Sequence, residues 1–307
     1  MIPSLPTIRL RNKIPKEELD RKLGKIITDD DINILLTGPS RVLKPNGEPL
    51  AIYLPKAIPE NIANVAYPIL HTIQGLTDNR GLASGSERVM RGKTSRANSV
   101  KSSIIGYFDP YKNWHPFCRT TAWTGSHAEK FGELIPLFEN CGDHFKEHVP
   151  DRYAVQKRRC DSTKQEWVIG NSPFTTITVN NTYPTGVHVD AGDLVDGFSN
   201  LACLRRGEYT GGILTFPEFR LGIDLQDRDL VLMDPHEWHG NTALNLKSDD
   251  AERISLVLYY RTNMLECGTA EEEILKSRNQ IKWWTEEELE QMDVKSTVKL
   301  GKDVANK

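Results

Sequence analysis

The 307-residue chain predicts a mainly β fold with flanking helices, an α+β architecture. Its second half holds short β-branched or apolar runs separated by turns rich in Gly, Pro and Asp. Segments with helical spacing flank that series. At 38% hydrophobic residues the chain has enough apolar content for one elaborated domain. Within residues 1–307 we expect an N-terminal extension over 1–115, a helix and β core over 116–265, and a helical tail over 266–307.

Residues 1–60 are mixed and punctuated by proline. No proline interrupts residues 16–27, which read as a short helix, and Asp29 or Asp30 suits the cap of another. Over residues 75–103, Gly and Ser interleave with Arg80, Arg88, Arg91, Lys93, Arg96 and Lys101, the composition of a loop or mobile arm. Phe131, Leu134, Ile135, Phe138 and Phe145 fall near helical spacing, so residues 126–149 read as helix, with Pro136 a point of kinking. Residues 270–292 read as a charged helix whose Trp283 and Trp284 pack on the core rather than stack on bases.

The strands come between. Thr-Thr-Ile-Thr-Val-Asn-Asn over 175–181 is β-branched, Tyr183-Pro184-Thr185-Gly186 is a turn, and 187–190 resume an extended path. Gly211-Gly212 precedes a strand over 213–216, and 221–225 alternate. Asp227-Arg228-Asp229 turns into the apolar run 230–233. After an acidic loop, 253–261 form a long strand.

Residues i and i+2 of a strand share a face, so His188 and Asp190 point the same way. His239 follows Asp190 by 49 residues. Two imidazoles and one carboxylate form a facial triad, which leaves three iron positions open for a co-substrate and dioxygen. A His-x-Asp pair alone is weak, because a surface His beside a turn-capping Asp is common. The strand at 253–261 adds to it. Arg253, Ser255, Val257 and Tyr259 share one face, and Ile254, Leu256, Leu258 and Tyr260 the other. A guanidinium grips a carboxylate with two parallel bonds and a hydroxyl adds a donor, whereas an exposed edge strand is the plainer reading. Together these residues point to an Fe(II)/2-oxoglutarate dioxygenase. Its metal residues are His188, Asp190 and His239, and its co-substrate residues are Arg253 and Ser255. His236 is a rival to His239. The His239-Gly240 pair and its 14-residue spacing to Arg253 favour His239.

Residues 174–261 also resemble the ten-eleven translocation/J-binding protein (TET/JBP) family of DNA 5-methylpyrimidine dioxygenases, in its small viral or microbial form. The likeness rests on Thr178-Val179-Asn180, His188-Val189-Asp190, Tyr209-Thr210-Gly211-Gly212, Phe216-Pro217, Asp229 to Asp234, His239-Gly240 and Arg253-Ile254-Ser255. The resemblance implies a double-stranded β-helix (jelly-roll) core with iron at its open end. It implies Fe(II) and 2-oxoglutarate as cofactors, and dioxygen and a flipped, methylated pyrimidine of DNA as partners. Asn180 would be a further co-substrate contact. Asp193 would face the base, where animal members carry Asn. An ionised Asp accepts hydrogen bonds only, which places 5-methylcytosine, oxidised to 5-hydroxymethylcytosine, slightly ahead of thymine.

Composition limits the rest. A net charge of −3 gives no global basic signature, so any DNA face must be local, with 80–101 and Lys157-Arg158-Arg159 as its sources. Arg119 is expected to reach the co-substrate or a phosphate, or to lie at a strand end. Five cysteines without a Cys-x-x-Cys pair argue against a cysteine zinc module and for a reducing compartment. No secretion signal or membrane-length apolar run is apparent, which favours a cytoplasmic or nuclear monomer. Two alternatives share parts of this pattern. One is a 2-oxoglutarate hydroxylase of protein or small molecules, the other a non-catalytic nucleic-acid-binding β domain.

Overall fold

A computed structural model describes residues 5–85, 98–111 and 115–281. Most of the expected basic loop (86–97) and the Trp283-Trp284 pair lie outside the described residues.

The first half contains β1 (Thr7–Arg9), α1 (Lys16–Asp20), β2 (Ile34–Leu36), β3 (Ser40–Leu43), β4 (Pro49–Leu54), α2 (Glu60–His71), β5 (Leu76–Thr77), β6 (Val100–Phe108) and β7 (Arg119–Thr120). Three helices follow: α3 (Ala122–Ser126), α4 (Ala128–His148) and α5 (Pro150–Ser162). The second half contains β8 (Thr176–Asn181), β9 (Ser199–Arg206), β10 (Tyr209–Gly211), β11 (Leu214–Phe216), β12 (Leu221–Ile223), β13 (Asp229–Met233), β14 (Gly240–Asn241), β15 (Leu244–Leu246), β16 (Glu252–Tyr259) and α6 (Ala270–Ile281).

The major sheet runs β1-β3-β4-β13-β9-β16-β8-β6-β5, with β7 on β6. A minor sheet runs β14-β11-β12-β2, and β10 pairs with β15. Alternation assigns the layers. On β13, Leu230 and Leu232 join a core shared with α2 and α4, while Val231 and Met233 join a second core shared with β11 and β12. Helices therefore cover one face of the major sheet and the minor sheet covers part of the other. On β16, Ile254, Leu256 and Leu258 enter the helix-side core, as the alternation predicts.

The strand readings of the second half hold to within a few residues, and the helix over 126–149 is α4, which continues through Pro136. The N-terminal segment differs. It contributes β1, β3, β4, β5 and β6 to the same major sheet, and β4 registers with β13 from Leu54↔Leu230 to Ala51↔Met233. Leu-Ala-Ile-Tyr-Leu in β4 is buried on both faces, so it carries no alternation to read. The expected helix over 16–27 ends at Asp20. Leu23 and Ile27 instead bridge to Val187 and Thr242, and Gly24 takes φ +70° between them. Asp29 and Asp30 cap nothing. They lie inside a 3-10 turn capped by Thr28.

Cys118 and Cys267, 149 residues apart, are disulfide-bonded with Cα atoms at 5.6 Å. The scattered spacing of the cysteines did not anticipate this pair. Cys141, Cys160 and Cys203 are free and buried. Among the described residues no helix is long and apolar enough to cross a membrane.

Glu252 begins β16 and ties three elements together. It accepts from Tyr67 Oη at 2.5 Å and His71 Nδ1 at 2.9 Å, both on α2, and from Asn181 Nδ2 on β8 at 2.7 Å. Burial alone would raise its carboxyl. The bonds from Tyr67, His71 and Asn181 outweigh that and hold it below the ordinary glutamate value. A lowered folded-state pKa contributes stability above the unfolded value that is lost as pH falls through the folded one. Glu252→Gln is expected to destabilise the chain by roughly 1–3 kcal/mol at pH 7. Urea midpoints should show the gap to wild type closing as pH falls below the ordinary glutamate value of 4.5.

Candidate active site

His188 and His239 face each other across an isolated antiparallel bridge. His188 N–H donates to His239 O at 2.8 Å and His239 N–H to His188 O at 2.9 Å. Each ring then makes the same local bond. Nδ1 of His188 lies 2.8 Å from Gly186 O, and Nδ1 of His239 lies 2.9 Å from Glu237 O. A carbonyl accepts only, so both Nδ1 atoms carry the proton and both Nε2 atoms present lone pairs. Those lone pairs converge on Asp190. His188 Nε2 lies 3.5 Å from Oδ1 and His239 Nε2 lies 3.6 Å from Oδ2. The ligand atoms of the three residues all lie within 4.8 Å of one another.

The electrostatics suit a cation at the centre. Burial, then His188, push His239 down to about 4, so its ring is neutral at pH 7. Burial would raise Asp190, but its contacts with His188 and His239 outweigh it and hold the carboxyl below the ordinary aspartate value. His236 stands apart from this cluster. Its backbone N–H donates to Asp234 Oδ1 at 3.1 Å, and Asp234 also accepts from Lys44 Nζ at 2.9 Å.

The same cavity, of about 390 Å³, reaches Arg253, Ser255 and Asn180. Arg253 is 2% exposed and its Nη2 has no hydrogen-bond partner. A buried, unpaired guanidinium nitrogen beside the His-Asp-His cluster fits a ligand carboxylate. Gly212 makes room for it, since a Cβ there would crowd Arg253 Cδ at 3.3 Å, whereas a Cβ on Gly211 would lie 1.8 Å from Ala243 O. Ser255 and Asn180 are cross-strand partners between β16 and β8. Ser102 Oγ donates to Asn180 Oδ1 at 2.5 Å, which leaves the amide NH2 as the donor end.

Asp193 also lines this cavity, but its state differs from expectation. It is 7% exposed and accepts from Ser199 Oγ. Burial, with Asp190 nearby, pushes its carboxyl well above the usual range. The shift favours the protonated form, which donates as well as accepts. The structure adds residues that the sequence reading did not assign to the site. Asn241 accepts from Thr185 N at 3.1 Å and Thr185 Oγ1 at 2.9 Å, fixing the turn that leads to His188. Its position two residues after His239, on the same face of an extended segment, was the available signal. Arg80, read only as part of a basic loop, lies on the cavity wall with its Nε unpartnered. Arg119 does not line the cavity. It stacks on Phe108 with its guanidinium carbon 4.6 Å from the ring centroid.

Residues 103–262 match the Tet_JBP family, an oxygenase domain of the 2OGFeDO superfamily. The chain is 31% identical over 226 residues to the thymine dioxygenase JBP1 of Crithidia fasciculata. That match covers 72% of this chain and 26% of the relative. It is 30% identical over 225 residues to the thymine dioxygenase JBP1 of Leishmania braziliensis, covering 72% of this chain and 26% of the relative. The bifunctional helicase and thymine dioxygenase JBP2 of Trypanosoma brucei brucei is 29% identical over 266 residues, 85% of this chain and 23% of that protein. The chain thus spans about a quarter of the length of these relatives. The solved structure of NgTET1 in complex with 5mC DNA superposes with a TM-score of 0.57 at 14% identity, covering 90% of this chain and 91% of that one. This likeness shows the shared double-stranded β-helix fold. The match over more than half of the chain places it in the Tet_JBP family of Fe(II)/2-oxoglutarate dioxygenases.

Proposed function

We propose that this chain hydroxylates the 5-methyl group of a pyrimidine in DNA, with thymine ahead of 5-methylcytosine. Iron is held by His188, Asp190 and His239, and the distal carboxylate of 2-oxoglutarate by Arg253 and Ser255. The observation that carries the reading is the unpartnered Arg253 Nη2 in one cavity with two imidazoles whose Nε2 atoms converge on Asp190. When bound, iron and 2-oxoglutarate supply the oxygen-activating chemistry.

The chain supplies binding, orientation and dryness. The two Nδ1–H bonds hold both imidazoles in the binding tautomer, and Asp190 adds negative charge on one side only. Arg253 and Ser255 project from one face of β16, so their spacing sets how far the co-substrate lies from the iron residues. Asn180 adds an amide donor from the adjacent strand. Leu201, Leu214 and Val257 line the cavity with apolar surface that excludes water. A methyl group within a duplex cannot reach so recessed a site, so the nucleotide enters flipped. Arg80 supplies a cation on the cavity wall that suits the phosphate of that nucleotide.

Two observations favour thymine. The relatives matched over most of this chain are named for thymine, and none of them supports a preference for 5-methylcytosine. Burial and the neighbouring Asp190 push the Asp193 carboxyl toward its protonated form, whose donor and acceptor match the carbonyl and ring N–H of thymine.

Three outcomes follow. His239→Ala is expected to abolish Fe(II) binding and turnover while His236→Ala retains both, read by iron titration and succinate formation; the reverse pattern would transfer the role to His236. Arg253→Lys keeps the charge but loses the planar fork, so the KM for 2-oxoglutarate should rise roughly tenfold to a hundredfold with Fe(II) affinity unchanged. An unaltered KM would remove Arg253 from the co-substrate site. Nucleoside mass spectrometry on iron-loaded chain with methylated and unmethylated duplexes should show 5-hydroxymethyluracil from thymine. Asp193→Asn, which keeps a donor and an acceptor, should retain most of it, and Asp193→Ala should lose it. Succinate formed with a peptide or metabolite but with no DNA would defeat the DNA assignment.

A further inference from the structure

The last two turns of α4 carry a second cluster of metal-binding side chains, on different elements from the His-Asp-His site. His144, Glu147 and His148 follow the spacing i, i+3, i+4, which places them on one face of the helix. Their ligand atoms all lie within 4.8 Å of one another. The two rings lie 6.0 Å apart and within 15° of parallel. Glu147 Oε1 lies 3.9 Å from His148 Nε2, too far for a hydrogen bond. Two donors each about 2.0–2.2 Å from one zinc ion lie at most about 4 Å apart, so modest rotamer changes close the set.

The state of His144 points the same way. Its Nε2 lies 3.0 Å from the Ala57 carbonyl, which can only accept. The proton is therefore on Nε2 and the lone pair on Nδ1. That Nδ1 is buried and has no partner. A histidine whose one nitrogen donates to a backbone carbonyl while the other is left open has the arrangement that metal-bound histidines adopt. The nearby cation is occupied elsewhere: Arg41 Nη2 donates to the His148 carbonyl at 3.0 Å.

We propose that His144, Glu147 and His148 form a binding site for zinc or a similar borderline divalent ion, separate from the iron centre. Two imidazoles and a carboxylate suit zinc better than calcium or magnesium, which prefer oxygen alone. Three protein ligands leave the fourth position to water. The bound ion joins the end of α4, through His144, to the Ala57 loop between β4 and α2. It is expected to stabilise the contact between the helix layer and the major sheet.

The test removes the competing site. In a His188→Ala/Asp190→Ala/His239→Ala chain, calorimetric titration with Zn²⁺ alone should show one equivalent bound and a raised Tm. Adding His144→Gln and His148→Gln should weaken that binding by at least the roughly 10–100-fold that loss of an outer-shell partner costs. Glu147→Gln should weaken it less. In the intact, Fe(II)-loaded chain, zinc-edge X-ray absorption should show two imidazoles and oxygen donors, lost in His144→Gln/His148→Gln. That double variant should keep iron-dependent 2-oxoglutarate turnover. No zinc bound in the first variant, or equal zinc after the histidines are changed, would overturn the site. If the triad variant fails to fold, the absorption spectra of the intact chain decide alone.

Discussion

The antiparallel pair between His188 and His239 is the contact on which the site depends. Two backbone bonds bring residues 51 apart in sequence side by side. Asp190 is placed by the same path, since its N–H donates to Pro235 O at 3.1 Å. Once the backbones are paired, each ring finds the carbonyl two residues before it and turns its Nε2 inward. The pair is supported from the N-terminal segment through the Leu23–Val187 and Ile27–Thr242 bridges, and from within by Asn241 and Thr185. A site that must offer iron open positions cannot rely on the metal to assemble it. Here the backbone does so.

Alternation along β16 is the second constraint. The strand sends Ile254, Leu256 and Leu258 into the core beneath α2 and α4 and sends Arg253, Ser255, Val257 and Tyr259 toward the cavity. A slip of one residue would bury the co-substrate face and expose the core face. The Glu252 clamp sits where such a slip would start, next to Arg253, and anchors the strand to both α2 and β8. Arg253 with an unpartnered nitrogen is costly in the free chain, and a carboxylate that pairs with it recovers that cost. Binding of such a carboxylate would therefore be linked to folding stability at this residue.

Asp193 shows how the fold sets chemistry beyond residue identity. The same side chain on a solvated loop would be an anion and could only accept. In the cavity wall, beside Asp190 and bonded by Ser199, its carboxyl is pushed well above the usual range, toward the protonated form. His144 illustrates the same point on α4, where one carbonyl from a distant loop decides which ring nitrogen remains available.

The sequence by itself determined the local part of this protein. The strands 176–181, 229–233 and 252–259, helix α4, and the shared face of His188 and Asp190 all follow from periods of two and of 3.6 and from short spacings. The face carrying Arg253 and Ser255 was legible for the same reason. The tertiary structure alone decided the rest. β4 is an inner strand covered on both faces, which leaves no alternation, and the residues expected in one N-terminal helix are taken by bridges to Val187 and Thr242. The Cys118–Cys267 pair, Arg80 on the cavity wall, the raised carboxyl of Asp193 and the open nitrogen of His144 each depend on partners distant in sequence or on burial. Neither quantity is encoded in any local window, because desolvation and long-range pairing exist only once the chain has closed on itself.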